Sequence, residues 1–193
     1  MPFVAEGNKG EGWERIDIAE YKLPKVALNG YELRCQDEDC QAGMIIKHGG
    51  VLTPHFAHVA NRQAANCAYA GVGESEEHRQ AKLTVAEKLR RLTTYENATV
   101  SLEKIVRTGD KKRIVDVYAI WPDGSTAAHE IQLAKTTIKE CQERTNDYYA
   151  AGIGTVVWWF GNENIADASL RHWALHECGY AGIVRFTESV VTL

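Results

Sequence analysis

The stretch RIVDVYAIWPDGSTAAHEIQLA, residues 113–134, decides the fold. Two runs of strand-forming residues, 113–121 and 126–134, flank Pro122-Asp123-Gly124-Ser125, a turn signal that folds them into a hairpin. In the first run Ile114, Tyr118 and Ile120 flank Asp116 on one face, while Val115, Val117 and Ala119 take the other. A strand apolar on both faces is expected inside a sheet. An ionised carboxylate there is costly unless a charge or a metal pairs with it. Glu130 lies on the second arm at nearly the same depth, with Gln132 one step further along its face. An odd number of residues in the turn puts Asp116 and Glu130 on the same side; an even number separates them.

Working outward, Ser75 caps a helix of about five turns, with Glu76 and Glu77 in the first turn, where the helix dipole favours acids. Its apolar stripe runs through Ala81, Val85, Leu89 and Leu92. Extended back one turn the stripe lands on Glu77, so an acid is expected to continue the core-facing side. Residues 98–106 form a strand. Thr137 and Glu140 make a capping box that opens a helix, TIKECQERTNDYYAA, and Gly152 closes it. TVVWWF is a short apolar strand, with Trp158, Trp159 and Phe160 read as core. ADASLRHWALHE and GIVRFT add a helix and a strand. The order α-β-β-β-α-β-α-β predicts an α/β sheet covered by helices.

Two carboxylates on adjacent strands repel each other without a cation, and oxygen donors of this kind suit Mg²⁺ or Mn²⁺. Asp116 and Glu130 are the candidate ligands, Glu77 adds a third acid, and the Gln132 amide is placed to orient a water or a phosphate. Such a centre polarises a phosphodiester and acidifies a bound water.

A helix acid, an Asp in one strand and Glu-x-Lys or Glu-x-Gln in the next resemble the signature of the PD-(D/E)xK nuclease superfamily. More specifically HFAH, ESEEHRQAK, RIVDVYA, HEIQ and QERTNDYYAAGIGTVVWWF, spread over roughly residues 35 to 160, resemble the CoiA-like competence nucleases. The resemblance implies a restriction-endonuclease-like αβββαβ core with a mixed central sheet, and metal-dependent cleavage of DNA. It places Asp116, Glu130 and Gln132 in the core motif, with Glu77 and His78 on the helix. Gln132 stands where Lys is usual, and a neutral amide supplies no positive charge to the transition state. Lys82, Lys135 and Arg144 are candidate phosphate contacts.

Residues 34–72 have too little apolar periodicity to hold together by packing. Cys35, Cys40, His55, His58 and Cys67 fall within them. A tetrahedral zinc site takes four soft or borderline ligands, and Cys35, Cys40, His58 and Cys67 are the expected set, with His55 the alternative to His58. A segment this poor in core gains its fold from metal binding. The CoiA-like families also carry a cysteine-rich segment before HFAH, which implies a structural Zn²⁺ module. The remaining Cys141 and Cys178 read as small buried side chains.

The 193 residues, 45% hydrophobic and 25% charged, describe a folded chain. The odd total of five cysteines argues against a disulfide framework. With no apolar run approaching the roughly 18 residues of a membrane span and no signal-peptide pattern, a cytoplasmic protein is expected, with no membrane partner. The net charge of −4 conceals a locally basic middle: residues 79–144 hold 13 of the 22 Lys and Arg but 9 of the 26 Asp and Glu. DNA is the expected partner; a homodimer or a protein partner is left open. The expected organisation is an N-terminal β-containing zinc module over residues 1–72 and a nuclease domain over 73–193. Two other classes compete with a DNA-cleaving enzyme. One is a nucleic-acid-binding protein of the same fold that does not cut; the other is a zinc hydrolase of a small substrate, which requires an open position on the zinc.

Overall fold

The computed structural model describes residues 2–48, 53–60, 65–70, 73–187 and 190–192; parts of the loop-rich segment, 49–52, 61–64 and 71–72, lie outside them. The chain forms two compact units, Met1–Arg79 and Gln80–Leu193.

In the first unit β1 (Val4–Asn8) is the centre of a three-stranded antiparallel sheet, between β2 (Trp13–Asp17) and β3 (Glu32–Arg34). Pro24 opens a single helical turn, α1 (Pro24–Ala27), at the position where a missing N–H costs nothing. Trp13 lies under the Arg34 guanidinium, 3.8 Å from ring centroid to Cζ. Beyond this sheet β4 (Met44–Lys47) pairs with β5 (His55–His58).

Helix α2 (Glu76–Arg91) begins at the end of the first unit and continues into the second. Ser75 caps it, its Oγ accepting from the His78 N–H at 3.2 Å. The buried face runs through Ala81, Lys82, Val85, Ala86 and Leu89. Carried back one turn, that face meets His78 and Arg79, leaving Glu77 exposed, and Leu92 at the other end is also exposed. The expectation of a core-facing Glu77 is therefore corrected. Reading only the apolar residues shifted the stripe, because the buried Lys82 belongs to it.

The second unit is a five-stranded mixed sheet in the order β10-β9-β8-β7-β6. Strands β6 (Thr99–Thr108), β7 (Lys111–Ile120) and β8 (Thr126–Gln132) are antiparallel neighbours. Helix α3 (Ile138–Ala150) then crosses to β9 (Thr155–Phe160), parallel to β8. The short α4 (Asn162–Ile165) and α5 (Ala168–Glu177) cross to β10 (Ala181–Ile183), also parallel. Parallel neighbours require such crossovers. A small ladder of β11 (Arg185–Thr187) and β12 (Val190–Thr192) follows. The capping box of Thr137 and Glu140 forms at the start of α3 as expected.

Tyr148, Trp158, Phe160, Leu170 and Trp173 make the centre of one core layer, with Cys141 and Cys178 buried among them. Trp158 and Phe160 stack at 6.0 Å, 8° from parallel. Gly182 lies so close to Trp159 that a Cβ there would meet the indole at 2.0 Å, which is how β10 approaches β9.

Candidate metal centres

In the first unit the backbone folds into two short turns that present sulfur. One runs from Cys35 to Cys40, with the N–H groups of Cys40 and Gln41 donating to the Asp37 carbonyl; the other turns at Cys67, whose carbonyl accepts from Ala70. The buried Asp37 carboxylate joins them, accepting from the N–H of Asp39 at 3.2 Å and of Ala68 at 2.6 Å. Its role was not legible from composition, since nothing in the sequence distinguishes Asp37 from its acidic neighbours.

Cys35, Cys40, His58 and Cys67 converge, with one donor atom from each within 4.8 Å of every other. Cys35 Sγ and Cys67 Sγ are 3.8 Å apart, His58 Nε2 lies 3.5 Å from Cys40 Sγ and 3.8 Å from Cys67 Sγ. A tetrahedral ion at about 2.3 Å from sulfur and about 2.0–2.1 Å from nitrogen sets S···S near 3.8 Å and S···N near 3.5 Å. The donor set therefore fits a zinc-like Cys₃His centre with every position filled by protein. A disulfide, at about 2.05 Å, is a different arrangement, and all five cysteines are free thiols. His55 is not part of the cluster: it is buried, and its Nδ1 is bonded to the Thr53 carbonyl at 2.9 Å. Alternation along β5 sends it away from the sulfurs. Also in this unit, His78 Nδ1 lies 3.7 Å from the Glu74 carboxylate one turn earlier on the chain.

In the second unit the decisive feature is a fork between β7 and β8. Their pairing runs from Ile120↔Thr126 to Val117↔His129 and ends there, while β8 stays paired with β9 as far as Gln132. The intervening turn, 121–125, has five residues, so Asp116 and Glu130 fall opposite each other in register. At the fork the two carboxylates replace the missing ladder bonds. Glu130 Oε1 accepts from the Asp116 N–H at 3.2 Å, and Asp116 Oδ2 accepts from the Ile131 N–H at 2.9 Å. The Ile114 carbonyl, which β8 no longer reaches, accepts instead from Arg144 Nη2 at 3.1 Å, with Tyr148 Oη 3.2 Å away, both on α3. Buried polar backbone is thus satisfied by side chains exactly where strands part company, and these side chains are the acids.

A third acid, unnoticed in the sequence, completes the row. In the β6–β7 register Glu103 stands opposite Asp116, between Leu102↔Val117 and Lys104↔Val115. Glu103, Asp116 and Glu130 are all buried. Glu103 also has φ +52°, a left-handed backbone that a glutamate rarely adopts. Its signal in the sequence was faint: one acid in the alternating run TVSLEKIVRT.

Buried acids need cations. Lys82 Nζ is 2.5 Å from Glu103, both at 3% exposure or less. Lys82 is accordingly the counterion of a buried acid, and its reading as a phosphate contact is corrected. Arg144 Nε is 2.8 Å from Glu130 Oε2 and 2.9 Å from Tyr148 Oη, and Tyr148 in turn donates to Glu130 Oε1 at 2.7 Å. Burial raises the Glu130 carboxyl to about 7, opposed by Arg144, with Asp116 adding to the rise. Burial works against the Arg144 charge, yet Glu130 holds its pKa above the ordinary value. Two hydrogen bonds, from the Asp116 N–H and Tyr148 Oη, converge on Glu130 Oε1, while Oε2 faces the Arg144 guanidinium as an ion pair.

Gln132 is partly exposed, and its amide donates to the Ala134 carbonyl at 2.8 Å. Lys135 is exposed. His129, between the motif residues, is buried on the opposite face of β8 from Glu130. Trp159 Nε1 donates to its Nδ1 at 3.1 Å, and Tyr95 Oη lies 2.9 Å from its Nε2. An indole only donates, so Nε2 carries the proton and Tyr95 accepts it. Burial lowers the His129 pKa to about 4, keeping the ring neutral.

With this geometry in view, the comparisons define the class: the chain matches the family described as competence protein CoiA, nuclease-like domain, over residues 74–193. That match covers more than half of the 193 residues, and the chain belongs to this family. Among solved structures it is similar to the protein of unknown function AF1548, at 15% identity and a TM-score of 0.38, over 58% of this chain and 60% of that one. No curated protein matches. Among the described residues, no helix is long and apolar enough to cross a membrane.

Proposed function

We propose that this protein is a divalent-metal-dependent deoxyribonuclease. The observation that carries the reading is the fork, where Asp116 and Glu130 are held facing each other on parting strands in a nuclease-like family member. On this reading residues 73–193 form a restriction-endonuclease-like αβββαβ domain and residues 1–72 a module stapled by structural Zn²⁺ on Cys35, Cys40, His58 and Cys67. Asp116 and Glu130 hold Mg²⁺ or Mn²⁺, which supplies a Lewis acid and an acidified water when bound. Asp116 Oδ2 is oriented by the Ile131 N–H, and Glu130 is oriented by the Asp116 N–H and Tyr148 with Arg144 as its counterion. Gln132 turns its amide toward solvent beside Ala134, where it can orient a phosphate oxygen. Lys135 and Arg144 meet the DNA backbone. Glu77 and His78 are the helix groups of this proposal; the exposure of Glu77 favours His78, with Glu74 at its side, as the more organised of the two.

A zinc hydrolase of a small substrate finds no support, since four protein donors complete the tetrahedron. A protein that binds DNA without cutting draws on a specific observation: Glu130 is already engaged by Arg144, Tyr148 and the Asp116 N–H, and Gln132 is neutral. Cleavage of linear, circular and single-stranded DNA with Mg²⁺ or Mn²⁺, by wild type beside Asp116→Ala and Glu130→Ala, separates the two. Wild-type cutting that both variants lose while staying folded supports the nuclease. Binding without cutting under every condition supports the alternative.

A further inference from the structure

Phosphodiester hydrolysis places extra negative charge on phosphate oxygens in the transition state, and preorganised cations stabilise it. Gln132 supplies none. Lys82 is buried and committed to Glu103, and Lys135 is exposed on the chain beyond the end of β8. Of these candidates Arg144 combines the two properties required. It is anchored in the fork by Glu130, Tyr148 and the Ile114 carbonyl, and its side chain still keeps 32% of its surface exposed. Nε and Nη2 make those anchoring bonds, while Nη1 has no protein partner among the described residues. Arginine suits this position because its planar fork can hold a carboxylate with one edge and offer another to a phosphate.

Resting on the nuclease reading, we propose that Arg144 is the transition-state cation of this site, reaching the scissile phosphate from α3 in place of the charge absent at Gln132. The competing role for the same contacts is positioning Glu130 alone. Tyr148→Phe tests that role, because it removes another support of Glu130 and leaves the charge.

The experiment is single-turnover cleavage with Mn²⁺ and DNA raised to the plateau for each variant. Arg144→Ala should be slower than wild type by about 100-fold or more, as for loss of one oxyanion donor. Tyr148→Phe should lose about tenfold or less, and added guanidinium should restore Arg144→Ala but not Tyr148→Phe. Equal losses in both variants without guanidinium rescue, or an Arg144→Ala plateau within about threefold of wild type, overturn the proposal. Should Arg144→Ala fail to fold, Arg144→Lys against Arg144→Gln decides: a faster Lys variant supports the charge and equal rates overturn it. A wild type inert with every metal overturns the nuclease reading itself, and this assignment falls with it.

Discussion

Among the described residues between 35 and 70 the buried apolar side chains, cysteines aside, are Met44, Phe56 and Tyr69. In the second unit, Glu103, Asp116 and Glu130 are buried in a sheet backed by a large aromatic core. Among its described residues the first region brings together four candidate metal donors with few buried apolar side chains around them; the second has core to spare and uses it to hold charges that would otherwise stay in water. On the proposed reading, ligation organises the segment around the four donors, whereas folding organises the acids of the second unit. On that reading, losing a metal should matter to structure in the segment around Cys35, Cys40, His58 and Cys67 and to chemistry in the second unit.

The sharpest way to break this contrast is to remove metal. Chelation, or Cys67→Ser, should release about one equivalent of zinc and unfold the segment around the four donors, an effect on the order of 10 kcal/mol in small zinc modules. Zinc quantitation with amide hydrogen exchange reads it, and a segment that stays intact without zinc would end the distinction. Next, Asp116→Ala should cost on the order of a thousandfold in cleavage rate, about 4 kcal/mol, while the circular dichroism spectrum stays that of wild type. Lys82→Met should destabilise the second unit by about 3 kcal/mol in urea, because it strands the Glu103 charge. The double variant Lys82→Met with Glu103→Leu should recover much of that loss.

The neutral His129 makes a pH test of similar size. Its native pKa of about 4 lies below the ordinary 6.5, so below pH 6.5 the unfolded chain takes up a proton that the native state refuses. Stability present above pH 6.5 should fall as pH drops toward 4, by about 3 kcal/mol for a shift of roughly 2.5 units. Urea unfolding without added divalent metal measures it, and His129→Asn should flatten the profile. The smallest effect is expected at Thr137→Ala, about 1 kcal/mol for the lost cap of α3.

Local rules were enough to read much of this chain. Alternation and the Pro-Asp-Gly-Ser turn located the β7–β8 hairpin, and the capping box located α3. The Cys and His residues stood out because so few other side chains in their segment could be buried. The same rules misread α2, since a buried Lys82 is invisible to a search for apolar stripes, and passed over Glu103, which faces its partners across strands rather than along one.

By itself, then, the sequence determined which residues could carry chemistry and which elements they ride on, because propensity, capping and ligand type are properties of neighbours along the chain. Only the tertiary structure decided what each charge meets. The end of β7–β8 pairing at Val117↔His129, the opposition of Glu103, Asp116 and Glu130, and the commitment of Lys82 and Arg144 to two of those acids all depend on register and packing between distant segments. A buried charge is stable only with its partner in place, and that partner is chosen in space.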